Sequence, residues 1–158
     1  MGAITISLII MISVFISYIS FIWSKYGIQT SISQSYYALP QNLRPLFTLF
    51  CWGFAIPAMI AGSGVSVFMF LAGAGIAFVG AAAQIKLSLD YKVHMVAAIS
   101  GVIFSQLAIF FGYHLWYVNL AFILLGIIIL FLSKKNYLWW IELVAFGSIC
   151  YAIASNIL

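Results

Sequence analysis

The sequence predicts an all-α integral membrane protein: a bundle of six transmembrane helices, with a short interfacial helix between the first and second. Three observations carry that prediction. Of 158 residues, 66% are drawn from AVILMFWYC and only 5% are charged, against roughly 25% charged in a soluble domain. The apolar residues come in continuous runs, not in the ~10-residue alternating segments of a β-barrel. All six Lys and Arg fall in alternate connections between those runs. So little charge cannot cover a water-exposed globule, which excludes a cytosolic enzyme, a disordered chain and a nucleic-acid binder. The formal charge of +4 is then a topology signal and not a basic patch.

A spanning helix needs about 20 apolar residues, so a chain of this length holds at most about seven. Six runs fit, as a single transmembrane domain covering residues 1–158. They are Ile4 to Ser24, Leu46 to Gly62, Val65 to Ile85, Val93 to Gly112, Leu115 to Ser133 and Leu138 to Ile157. Backbone polar groups in lipid must be satisfied within each segment, which leaves helices. Pro57 predicts a kink or local unwinding in the second span. The N-terminal run has no basic region before it and is too long for a signal-peptide core, so it reads as a retained span. Its Met-Gly start lacks the Ser or Thr of a myristoylation motif where Ile6 stands. Cys51 and Cys150 fall inside spans and read as small apolar packing residues.

The cations set an orientation. Lys25 and Arg44 bracket the first connection, Lys86 and Lys92 the third, and Lys134 and Lys135 lie in the fifth. The opposite side carries the termini, the Gly62-Ser63-Gly64 turn and the Tyr113-His114 turn, without Lys or Arg. The positive-inside rule makes the basic face cytoplasmic. The expected location is the cell (inner) membrane, with both termini outside the cytoplasm. Trp23, Tyr26, Trp116, Tyr117, Tyr137, Trp139 and Trp140 mark span ends, where amphipathic rings favour the headgroup level.

The first connection, KYGIQTSISQSYYALPQNLR, is the longest. Ser31 with Gln34 three residues on is a capping-box pattern, and Pro40 stops a helix begun there. An interfacial helix over about Ile32 to Leu39 follows, carrying Ser33, Ser35, Tyr36 and Tyr37 on the cytoplasmic face. Small residues spaced by four, Gly73/Ala77/Ala81 in the third span and Ala97/Gly101/Ser105 in the fourth, predict a tight hairpin in which Gly73 and Ala77 meet Ala97 and Gly101. The first and fifth spans lack such stripes and are expected to face lipid.

Chemistry is confined to few residues. Asp90 and His94 lie four apart, on one helical face, and Glu142 sits about one turn inside the last span on the same side. An intramembrane carboxylate is costly and is a functional-site hypothesis by default; the bland alternative pairs it with Lys134, Lys135 or Arg44. Asp90, His94 and Glu142, with Ser33 and Ser35 nearby, form the candidate polar site. His114 belongs to the opposite side. Gln84, Gln106 and Asn119 are intramembrane amides, Gln106 near mid-membrane, where bridging between helices is favoured over lining a wet path. A catalytic zinc wants about three protein ligands and a spare base, which this set does not supply, so no metal is expected and no cofactor is indicated. No nucleophile elbow, phosphate loop or dinucleotide fingerprint is present.

The stretches SISQSYYAL, LFTLFCWGFAIP, FLAGAGIAFVGAAAQ and DYKVHMVAA resemble small polytopic membrane proteins of Bacteroides-type bacteria and their phages, a resemblance that implies no activity. The order of a Ser-containing first connection followed by Asp and His at a later helix start looks more distantly like the CREST membrane hydrolases and receptors. That resemblance implies a metal or polar site at Asp90 and His94 and a serine at Ser33 or Ser35. It also implies seven spans and a His pair in the last one, both of which this sequence lacks. Three functions are therefore expected to compete: an oligomeric permeation unit or accessory membrane subunit, a CREST-like lipid hydrolase, and a packing subunit without activity. The expected partners are the lipid bilayer and a further copy or a membrane-complex protein.

Overall fold

The computed structural model describes residues 2–83 and 90–157, with helices at every predicted run. The elements are α1 (Ala3–Tyr26), α2 (Ser35–Ala38), α3 (Pro45–Gly62), α4 (Val67–Ala82), α5 (Asp90–Leu107), α6 (Trp116–Leu132) and α7 (Tyr137–Ser155). A single π-helical turn, Ala108–Gly112, extends α5. The helices Ala3–Tyr26, Pro45–Gly62, Lys92–Gly112 and Tyr137–Ser155 are long and apolar enough to cross a membrane. Val67–Ala82 and Trp116–Leu132 are apolar but shorter. Gln84, expected near the end of the third span, lies outside the described residues.

The helix ends follow from local chemistry. Gly27 at φ +74° ends α1 in a conformation that few other residues adopt. Pro45 sits in the first turn of α3, where its missing N–H costs nothing. Ser66 caps α4 by accepting the N–H of Phe68 at 3.2 Å. Of the kink or unwinding expected at Pro57, the unwinding is absent: α3 is helical through it, and the ring is buried in the bundle.

Around the bundle, neighbours run α5, α4, α3, α1, α7, α6, with the most extensive packing at α3–α4, α4–α5 and α1–α3. The α5–α7 contact is thin. Phe146 of α7 fills the centre, stacked on Phe15 at 5.5 Å and edge-on to Phe54 at 4.6 Å. Between α3 and α4, Thr48 Oγ1 donates to the Gly80 carbonyl at 2.9 Å and Trp52 Nε1 to the Ala77 carbonyl at 3.1 Å. Such bonds and close packing hold helices together where lipid removes the hydrophobic drive.

Two expectations about packing are corrected. The α4–α5 approach is close, but Gly75 makes it: a Cβ there would stand 2.9 Å from the Ala97 carbonyl oxygen and 2.9 Å from Gly101 Cα. Gly73 instead faces α3, where a Cβ would collide with the Met59 side chain. Ala77 likewise offers its carbonyl to α3. The small-residue stripe serves two neighbours because α4 lies between them. The first span is not a lipid-facing helix all round either, since Ser7, Met11, Tyr18, Ile19 and Ile22 are buried against α3 and α7. In the fifth span, by contrast, no residue of α6 is buried.

The largest correction concerns the first connection. Its helix is only Ser35–Ala38, and one side of the segment turns into the bundle while Gln34 and Tyr37 stay exposed. Ile32, Tyr36 and Leu39 are buried among Phe47, Phe50 and Trp139, closing one end of the bundle. The cations Lys25, Arg44, Lys134 and Lys135 flank that same end by chain position. Arg44 stacks over the Tyr36 ring at 5.2 Å and reaches the Leu39 carbonyl at 3.4 Å.

Candidate functional site: a side-opening cavity at the basic end

Burying a loop requires partners for its backbone groups, and α7 supplies them. The Trp139 N–H donates to the Thr30 carbonyl at 3.2 Å, and Asn136 Nδ2 donates to the Ile28 carbonyl at 3.1 Å. One turn further in, the Glu142 carboxylate accepts the backbone N–H of Ile32, with the Ser33 N–H close by. Ser35 Oγ, fully buried, shares a 2.6 Å hydrogen bond with Tyr18 OH and donates to the Ile32 carbonyl. Ser31 Oγ accepts the Gln34 N–H at 3.1 Å, the first half of the capping box, and pairs with Ser33 Oγ at 2.9 Å. The glutamate therefore answers to backbone amides, and not to Lys134, Lys135 or Arg44.

Beside this loop a cavity of about 460 Å³ lies between α5 and α7. Its polar lining includes Ser31, Ser33, Gln34, His94 and Glu142, and its apolar walls come mainly from α5 and α7. On the outward side Met95, Ile99, Ile103 and Leu138 are 38%, 53%, 52% and 42% exposed. The cavity thus opens sideways through apolar residues, where α5 and α7 hardly touch. A smaller pocket of about 70 Å³ continues inward, and Ser33, Ala98, Val102 and Glu142 line both.

Of the expected site residues, the structure gathers His94, Glu142 and Ser33 around one cavity. It does not join them by direct bonds. The His94 imidazole lies toward the Val79 carbonyl, Ser33 Oγ pairs with Ser31, and Glu142 receives the Ile32 amide. Ser35 is not in the lining, because its hydroxyl is taken up by Tyr18 in the core. Asp90 begins α5, and its side chain lies outside the described residues. His114 stands at the other end, in the left-handed turn (φ +56°) that leads into α6. Among the described residues, no three His, Cys, Asp or Glu side chains come together as a metal site. Gln106 bridges helices as expected: Asn119 Nδ2 donates to its Oε1 at 3.0 Å, and its own Nε2 reaches Ser148 Oγ at 3.3 Å.

Sequence reading did not place Thr30, Met95, Ala98 and Val102 in the site. Only the inward fold of the first connection, beside a parted α5 and α7, makes them neighbours. No known protein family, curated protein or solved structure matches this chain.

Proposed function

We propose that the chain is a six-span protein of the cell membrane, with its basic end in the cytoplasm and both termini outside. On this reading it binds an amphiphilic molecule that enters sideways from the cytoplasmic leaflet. The observation that carries the reading is the cavity itself, polar at Ser33, His94 and Glu142 and walled by apolar residues that open outward. A ligand with a polar head and a hydrocarbon tail satisfies both parts at once. Pockets that combine apolar walls with a few converging polar groups are the default binding sites of proteins. The two shorter helices, α4 and α6, count as spans on this reading, since hydrophobic mismatch is absorbed by modest bilayer thinning.

Permeation along Gln106 and Asn119 has less support, because these amides bond to one another and to Ser148. Hydrolysis has less support as well, because Ser33 pairs with Ser31 rather than with a base.

The test is extraction of bound lipid from purified protein, compared with an Ala98→Phe variant that fills the junction of the two pockets. Mass spectrometry is expected to find an amphiphile retained by the native chain and lost from the folded variant. Equal retention by both would overturn the reading.

A further inference from the structure

From the cavity's polar lining we infer the headgroup class: the site takes an amphiphile carrying an ammonium group, received by Glu142. This inference rests on the amphiphile-binding reading above.

Glu142 is the carboxylate on the described lining, and the N–H groups of Ile32 and Ser33 meet it from the loop side. A carboxylate offers about four acceptor sites, so two backbone donors leave it acceptor capacity toward the cavity. Those donors are neutral, so the carboxylate stays available to pair with a cation. Ser31 and Ser33 are already paired with each other and add hydroxyl oxygens able to accept. Among the described lining residues there is no Lys or Arg. The nearby Arg44 is occupied at Tyr36 and Leu39.

A phosphate set against this carboxylate would meet like charge at low dielectric, where Coulomb repulsion is weakly screened. A hydroxyl would be accepted without charge assistance. An ammonium brings three donors and the opposite charge, and such hydrogen bonds are roughly twice as strong as neutral ones. The exposed walls at Ile99, Ile103 and Leu138 then meet the tail. Two sources share this chemistry, a single-chain amine and the ethanolamine head of a bilayer phospholipid.

The experiment uses the full chain in a neutral maltoside detergent at neutral pH, titrated with dodecylammonium, dodecanol and dodecyl phosphate. Binding is followed by the shift in thermal unfolding. The native chain is expected to prefer dodecylammonium over dodecanol by about tenfold or more, a difference of about 1.4 kcal/mol, with dodecyl phosphate weakest. Glu142→Gln keeps a carbonyl oxygen for the loop amides and is expected to bring ammonium and alcohol level. Should that variant not fold, the ammonium-to-alcohol ratio in the native chain still decides. Competition by phosphatidylethanolamine supports the ammonium site and assigns it to a bilayer lipid; its failure beside tight dodecylammonium binding supports the site for single-chain amines. Equal affinity for ammonium and alcohol, or preference for phosphate, would overturn the headgroup inference and leave amphiphile binding standing. Binding of none of the three by the native chain would overturn both.

Discussion

The backbone N–H of Ile32 donates to the side chain of Glu142, 110 positions further along the chain. That bond joins the first connection to the last helix and ties the cavity's carboxyl group to the segment that closes the bundle. A carboxylate inside a spanning helix is costly alone. Here it meets the needs of buried loop amides that no helix satisfies.

Replacing Glu142 should therefore separate two roles. Glu142→Leu leaves the Ile32 amide without an acceptor and is expected to cost about 1–3 kcal/mol, the usual penalty for an unsatisfied buried group. Glu142→Gln should cost clearly less. Thermal unfolding in detergent measures both, and equal losses would show that charge, not hydrogen bonding, holds the loop.

The α4–α5 interface gives a contrast between glycines. Gly75→Ala places a methyl 2.9 Å from the Ala97 carbonyl oxygen, and overpacking of this kind costs about 1–3 kcal/mol. Gly101→Ala meets its nearest neighbour at 3.6 Å and should be tolerated. Gly126→Ala, with open space around it, should change stability by less than Gly75→Ala. A reversal of the order at positions 75 and 101 would refute the register of this hairpin.

Tyr18 and Ser35 form a buried pair at 2.6 Å. Tyr18→Phe should lose about 1 kcal/mol, the net value of an ordinary hydrogen bond. Combined with Ser35→Ala, the losses should be less than additive, since contacting partners couple by about 0.5–3 kcal/mol. Strict additivity would mean that the two hydroxyls act independently.

A similar cycle applies to Gln106 and Asn119 across α5 and α6. Hydrogen bonds between membrane helices average about 0.6 kcal/mol, with about 1.7 at most. The Gln106→Leu and Asn119→Leu pair is expected to show coupling in that range. No coupling would free these amides for a wet path and revive permeation between copies.

Topology is checked by single cysteines at positions 2 and 135, in a chain whose Cys51 and Cys150 are replaced by Ala. A membrane-impermeant thiol reagent applied to intact cells lacking an outer membrane should label position 2 and spare position 135. Labelling of both from outside would refute the six-span orientation.

By itself the sequence determined the helical class, the place of each apolar run and the confinement of the cations to alternate connections. These are local properties: hydropathy summed over about 20 residues, and charge counted connection by connection, need no knowledge of neighbours. It also marked Glu142 as anomalous, because a carboxylate is rare at that depth. The tertiary structure alone decided what that anomaly meets. Buried loop amides carry no signature in sequence, since every residue but proline has one, so nothing in KYGIQTSISQ says that Ile32 and Ser33 turn toward α7. The same holds for Gly73 and Gly75, two positions apart on α4. Their rotation about the helix axis is common knowledge from the sequence, but whether α3 or α5 lies against each depends on the order of helices around the bundle. Small-residue spacing permits close approach without naming the partner, and the cavity beside Glu142 exists only because that order leaves α5 and α7 apart.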